Sequence, residues 1–254
     1  HVDAAWGGAA FFSNETGTLT RGIEKVHSVT WDFHKALRSP ILCSALLVKD
    51  NDNFETSFNV DTSYLFHEKN DESDYNLGSR SIQCGRRGDA FKLWLMWKYR
   101  GKEYFQNCVD KRFRLTCEFI DILNQSSCFY LYDDQPDYFN VCFWFVPDQI
   151  GSISDLNHLP EQDWLKLDEL SIQIYHCLKR DGQIAVNYSR SDHHPACLRL
   201  IITEQLGREN FIRILDVLKS IGKMLSMTIP QVLVSGGDCR LKLDKDDRNY
   251  IMIA

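Results

Sequence analysis

The stretch Ser28-Val29-Thr30-Trp31-Asp32-Phe33-His34-Lys35, followed after a break at Arg38-Ser39-Pro40 by Cys43-Ser44-Ala45-Leu46-Leu47-Val48, decides the fold. Residues 26–31 and 43–48 are short, apolar or β-branched, and bounded by turn formers, which is the pattern of strands. Upstream, Val2-Asp3-Ala4 reads as the end of a buried strand. The small residues Ala4, Ala5, Gly7 and Gly8 leave room there for a flat ring to approach the backbone. Residues 1–50 therefore read as α/β.

Further along, residues 50–82 are polar and weakly periodic, and a loop of that length is usually functional or disordered. Asp89–Arg100 has helical spacing with Gly101 as its stop, and a second helix is expected over about 103–124. Strands are expected at 129–132 and 140–146, a helix at 164–180, strands at 183–188 and 198–203, and a last amphipathic helix at 209–227. That order predicts a separate small α+β domain over 111–227, after a first domain over 1–110. The tail, 228–254, suggests no structure, and no internal repeat is visible.

Composition narrows the function. The 254 residues carry a formal net charge of -6, with 25% charged and 44% hydrophobic residues. A nucleic-acid partner is not expected, because its usual basic footprint is missing. No apolar run approaches the roughly 20 residues needed to span a bilayer, so no membrane role is expected either. Nine cysteines without a C-x-x-C pair suggest neither a disulfide framework nor structural zinc. Cys43, Cys84, Cys117, Cys142 and Cys177 sit in apolar or helical patterns, where cysteine behaves as a small hydrophobe. A reducing, cytoplasmic compartment follows as the expectation. Because the chain opens at His1 on an apolar, small-residue segment, it reads as a fragment starting inside a domain.

Two residues suggest chemistry. A carboxylate such as Asp3 beside a pyridine nitrogen keeps that nitrogen protonated, making the ring an electron sink. A partly desolvated Lys35 could act as an amine nucleophile. Taken alone, the pair reads better as a capping aspartate and a solvated lysine. His193-His194 is not read as a metal site, because adjacent strand residues point to opposite faces.

The longer strings carry more. His1-Val2-Asp3-Ala4-Ala5-Trp6-Gly7-Gly8, the 28–35 and 43–48 stretches, Tyr64-Leu65-Phe66, Gln83-Cys84-Gly85-Arg86-Arg87, Lys92 to Lys98 and Asn140 to Pro147 resemble, in order, the group II pyridoxal-phosphate-dependent amino-acid decarboxylases. The likeness runs from residue 1 to about 225. It is strongest toward the acidic branch: cysteine sulfinate, aspartate and glutamate decarboxylases.

The resemblance implies the C-terminal part of a fold-type I large domain with its catalytic loop, then a small α+β domain. It also implies pyridoxal 5'-phosphate as cofactor and a homodimer. Residue by residue, it implies Asp3 at the pyridinium nitrogen, Ala5 against the ring, Lys35 as the covalent anchor and His34 near the phosphate. Tyr64 matches the loop tyrosine that protonates Cα, and Arg199 matches the arginine that binds the substrate α-carboxylate. A guanidinium fork suits a carboxylate, and a phenol on a loop can exclude water and donate a proton.

Some positions depart from the family. Asp32-Phe33 stands where Asn-Pro is usual, Leu42 where Gln is usual, and residues 187–198 differ, including Cys197 in place of an aromatic. These departures leave a second reading open, a catalytically inactive homologue or fragment serving as a dimerisation partner.

Overall fold

The computed structural model describes residues 1–58, 83, 85–133, 135, 138–151, 153 and 158–232. The chain divides into two compact units, His1–Asp110 and Lys111–Ala254.

In the first unit, strands β1 (Val2–Asp3), β2 (Ser28–Asp32) and β3 (Ser44–Val48) form a sheet in that order. β1 lies parallel to β2 with Asp3 opposite Thr30, and β3 runs antiparallel with Ser44 opposite Asp32. Between β1 and β2 the chain makes three short 3-10 turns, the first over Gly7–Phe12. Gly8 is required there, because a β-carbon would overlap the Trp31 indole. Trp31 in turn contacts Phe11, Phe12 and Phe33, and Phe12 reaches Trp97 and Phe105 at 5.5 Å each. This aromatic cluster is the core that holds β2 in place; rings of this size dominate the burial energy of a small unit. A buried hydrogen bond from Ser13 Oγ to Asp110 Oδ1, 2.5 Å, ties the first 3-10 turn to the long helix.

After the short α1 (Asn51–Phe58) comes α2 (Asp89–Asn124), interrupted at Gly101, whose φ of 75° and ψ of 169° are not helical. Only glycine adopts that conformation cheaply, so the break expected at Gly101 is a kink between two helical segments.

The second unit is a four-stranded antiparallel sheet covered by helices. β4 (Phe129–Leu131), β5 (Asn140–Phe145), β7 (His194–Ile201) and β6 (Asn187–Ser191) are ordered β4-β5-β7-β6. Alternation sorts the strands: Val141, Phe143, Phe145, Leu198 and Leu200 share the main core with Phe119 and Leu123 of α2. Leu170, Ile174 and Leu178 of α3 (Glu161–Asp181) and Phe211, Ile214 and Leu218 of α4 (Arg208–Val232) complete it. Each such side chain contributes about 1.5–3 kcal/mol through burial, which outweighs helix or strand propensity.

Three expectations change. Strands expected at 183–188 and 198–203 are instead Asn187–Ser191 and His194–Ile201. The hairpin turns at Asp192-His193, where Ser191 Oγ accepts the His193 N–H at 3.1 Å. Ile184 and Val186 are buried as connection rather than strand, so their apolarity misled the spacing. The last helix continues past Met227 to Val232. Cys117, expected to behave as a small hydrophobe, is exposed. Among the described residues no helix is long and apolar enough to cross a membrane.

Candidate active site

The first unit's sheet builds the candidate site from strand alternation. Residues opposite one another share a face, so Asp3, Thr30 and Leu46 line one face, joined two residues along by Asp32 and Ser44. Strand spacing and rise place the Cα atoms of Asp3 and Asp32 about 8 Å apart on that face.

Asp3 is exposed, contrary to the buried strand end expected, and its Oδ1 accepts the Ala5 N–H at 2.9 Å. That bond turns the chain after β1. Ala5 is partly buried beside it. On the same face His1 spans Ser28 Oγ at 2.8 Å and Thr30 Oγ1 at 3.2 Å.

Lys35 sits in the tight turn after β2, and its Nζ pairs with Asp32 Oδ2 at 2.8 Å. Lys35 is 42% exposed and Asp32 only 14%. Burial alone would push the Asp32 carboxyl up. Hydrogen bonds from Lys35 and Ser44, with the charges of Lys35 and His34, outweigh it and hold the carboxyl below the usual carboxylate range. The departure Asp32 thus turns toward Lys35. The turn needs no proline: the Lys35 N–H reaches the Asp32 carbonyl at 3.2 Å and the Ser39 N–H the Phe33 carbonyl at 3.0 Å.

His34 is fixed against the start of β3. Its Nδ1 faces the Cys43 carbonyl at 2.9 Å, the Cys43 N–H at 3.2 Å and Ser44 Oγ at 3.5 Å. Whichever tautomer is present, the ring orientation is set. Lys92 of α2 braces the following segment, donating to the carbonyls of Ile41 at 3.1 Å and Leu42 at 2.9 Å while pairing with Asp89 at 2.7 Å.

Arg199 belongs to β7 of the second unit. Leu198 and Leu200 on either side are fully buried, while Arg199 points to the opposite face and is partly exposed. Its Nε is buried without a hydrogen-bond partner among the described residues. Tyr64 lies outside the described residues. No group of three or more metal-ligating side chains occurs among the described residues. Sequence reasoning missed Asp32 and Ser44 as partners in the site; Asp32 reaches Lys35 within the turn, and only the β2–β3 register brings Ser44 opposite Asp32.

The donor set suits a phosphorylated pyridine. An amine, a carboxylate two residues along one sheet face, an oriented imidazole and a small-residue floor match an aldehyde, a ring nitrogen, a phosphate and a flat ring.

Comparison with known proteins agrees. Residues 1–146 match the pyridoxal-dependent decarboxylase conserved domain. The acidic amino acid decarboxylase GADL1 of Mus musculus is 35% identical over 226 residues, 88% of this chain and 40% of the relative. The Homo sapiens protein of the same name is 34% identical over 226 residues, 88% and 42%. Among solved structures, mouse CSAD matches with a TM-score of 0.78 at 28% identity, over 88% of this chain and 45% of that one. The Oryza sativa TDC with PLP and tryptamine shares the fold, at a TM-score of 0.73, 23% identity, 89% of this chain and 44% of that one. The chain spans less than half the length of these relatives. With a family domain matched over more than half its length, the chain belongs to the pyridoxal-dependent decarboxylases.

Proposed function

We propose that the protein decarboxylates an acidic L-amino acid (cysteine sulfinate, aspartate or glutamate) to the corresponding amine, with pyridoxal 5'-phosphate attached at Lys35. The observation that carries this reading is the shared sheet face of Asp3 and the Asp32–Lys35 pair. Bound there, the cofactor supplies an electron sink for the pair released when carbon dioxide leaves.

The chain's own residues do the rest. Lys35 is the covalent anchor, and Asp32 holds its ammonium in the turn until the amine is needed. Asp3 keeps the pyridine nitrogen protonated, Ala5 packs on the ring, and His34 faces the phosphate. Arg199 takes the substrate α-carboxylate, supported by its partnerless buried Nε and by the fit of a guanidinium fork to a carboxylate. Tyr64 returns a proton to Cα. Residues 1–110 form the end of the cofactor-binding domain and 111–227 the small domain, a reading supported by the division into compact units at Asp110.

The enzyme acts as a cytoplasmic homodimer. Cys43, Cys108, Cys128, Cys142 and Cys197 are free thiols, in keeping with a reducing compartment. Leu46, Leu47, Phe91, Trp94 and Tyr99 of the first unit are exposed apolar side chains of the kind an interface covers.

The test is borohydride reduction of the protein incubated with pyridoxal phosphate, followed by peptide mapping and assay of the three acidic amino acids. A reduced cofactor on the Lys35 peptide, with carbon dioxide released from one of the three, is the expected result. A folded protein that leaves Lys35 unlabelled overturns the reading.

A further inference from the structure

Beyond the turn that carries Lys35, three consecutive residues each bond the first turn of α2. Lys92 Nζ donates to the Ile41 carbonyl at 3.1 Å and to the Leu42 carbonyl at 2.9 Å, and Cys43 Sγ donates to the Asp89 carbonyl at 3.4 Å. Asp89 stands one helical turn before Lys92 and accepts from the same ammonium at 2.7 Å. An ammonium has three donors, so this geometry uses every one of them. Cys43 is only 3% exposed. Its backbone holds His34: the Cys43 carbonyl accepts the His34 N–H at 3.2 Å, while the ring Nδ1 lies 2.9 Å from that carbonyl and 3.2 Å from the Cys43 nitrogen.

We propose that Lys92 and Cys43 are positioning residues for the cofactor site: the first turn of α2 clamps residues 41–43, and Cys43 passes that restraint to the His34 ring. The role toward the cofactor rests on the decarboxylase reading of His34. Burial cannot hold this segment, because the Ile41 and Leu42 side chains are 72% and 57% exposed. The β2–β3 pairing starts only at Ser44, opposite Asp32, so it restrains Cys43 from one side. The Lys92 ammonium and the Cys43 thiol supply the other restraint. Charge-assisted hydrogen bonds to backbone carbonyls are the strong kind, so Lys92 carries most of it.

The clamp acts through His34 and not through Lys35. The Lys35 turn is closed on its own, by the Asp32 pair at 2.8 Å and by the Lys35 N–H on the Asp32 carbonyl at 3.2 Å. A ring that is already held costs less to order when an anion arrives, whereas a loose ring must be immobilised at the expense of affinity. Loss of the clamp should therefore raise the concentration of pyridoxal phosphate needed to fill the site, and leave the final extent of attachment at Lys35 as it was.

The experiment compares the intact protein with Lys92→Met, Lys92→Arg and, as control, Lys98→Met, an exposed lysine of the same helix. Amide hydrogen exchange is read residue by residue without cofactor. In Lys92→Met the His34 and Cys43 amides should exchange about tenfold faster, the lower end for lost charge-assisted bonds at a partly exposed group. Amides beside the buried Phe105 should keep their rates, which certifies that the unit is folded. Borohydride trapping at increasing pyridoxal phosphate should then show half-labelling of the Lys35 peptide at a several-fold higher concentration, with the same plateau. Lys92→Arg should restore both signals, and Lys98→Met should change neither. If Lys92→Met does not fold, Cys43→Ala takes its place, with about threefold effects expected from the weaker sulfur contact. Unchanged exchange at His34 and Cys43 overturns the clamp. Faster exchange with an unmoved half-labelling concentration overturns the role toward the cofactor. In a folded wild type that never labels Lys35, the decarboxylase reading and that role fall together, and faster exchange in Lys92→Met still supports the clamp.

Discussion

The ion pair between Arg112 and Glu204 gives the sharpest energetic test of the second unit. Arg112 Nε donates to Glu204 Oε2 at 2.6 Å, with the side chains only 5% and 13% exposed. The guanidinium also lies over the Phe139 ring, 5.7 Å from its centroid. Glu204→Ala removes a carboxylate from a buried guanidinium, and breaking such a pair costs about 3–5 kcal/mol in comparable sites. Arg112 keeps the Phe139 ring and its other neighbours, so the lower end, about 3 kcal/mol, is expected. That corresponds to a fall in Tm of about 6–12 °C for a protein of this size. The surface pair Arg208–Glu118, at 3.6 Å and with side chains 58% and 36% exposed, provides the internal control. Glu118→Ala should cost under about 1 kcal/mol. Urea unfolding followed by circular dichroism measures both, with a constant slope certifying that the two variants unfold alike. Arg112→Met combined with Glu204→Leu should regain most of the loss, because an apolar pair replaces a buried ionic one at little cost. Equal losses for Glu204→Ala and Glu118→Ala would refute the assignment of Arg112 to a desolvated site.

Three further expectations concern other elements. Asp32→Asn removes the carboxylate that pairs with Lys35 in the turn; for a pair this exposed the loss of stability should be at most about 1 kcal/mol, and a larger loss by urea unfolding contradicts the assignment of the pair to an exposed turn. Because the folded Asp32 carboxyl titrates below its usual range, its contribution to stability is complete above about pH 4 and fades as pH falls through the lowered value. Acid titration of wild type and Asp32→Asn by fluorescence should show that sensitivity only in the wild type. Gly222→Ala should destabilise, since a β-carbon there would overlap the Phe145 ring; overpacking of about 1–3 kcal/mol exceeds the roughly 1 kcal/mol that alanine gains in helix propensity, and a raised Tm would show that the ring can move aside.

Much of this was legible in the sequence where alternation was strong. Leu198-Arg199-Leu200 announces an arginine on the face opposite two core residues, and the structure places it so. The Gly101 break in α2 was legible for the same reason that glycine is rare inside helices. Asp32 was not legible as a partner of Lys35, because a carboxylate three residues before a lysine in a turn reads as solvated, and only strand register shows Ser44 converging on it. The β6–β7 hairpin was displaced in the reading because Ile184 and Val186 are apolar enough to mimic a strand, although their burial comes from the connection after α3.

The two polar clusters share a physical origin that the alternation also explains. In β2 the core face carries Val29 and Trp31, while Ser28, Thr30 and Asp32 occupy the other; in β7 Leu198 and Leu200 face the main core and Cys197 and Arg199 do not. A sheet needs its second face covered as much as its first, and polar groups lodged there cost free energy unless something pairs with them. Asp32 has Lys35, and His1 has Ser28 and Thr30. The Arg199 Nε has no such partner among the described residues. On the polar face of the first sheet Asp32 is paired with Lys35, while Asp3 is exposed and accepts the Ala5 N–H. The face of the second holds a guanidinium whose Nε is buried without such a partner, which leaves the cost of its burial unoffset among the described residues.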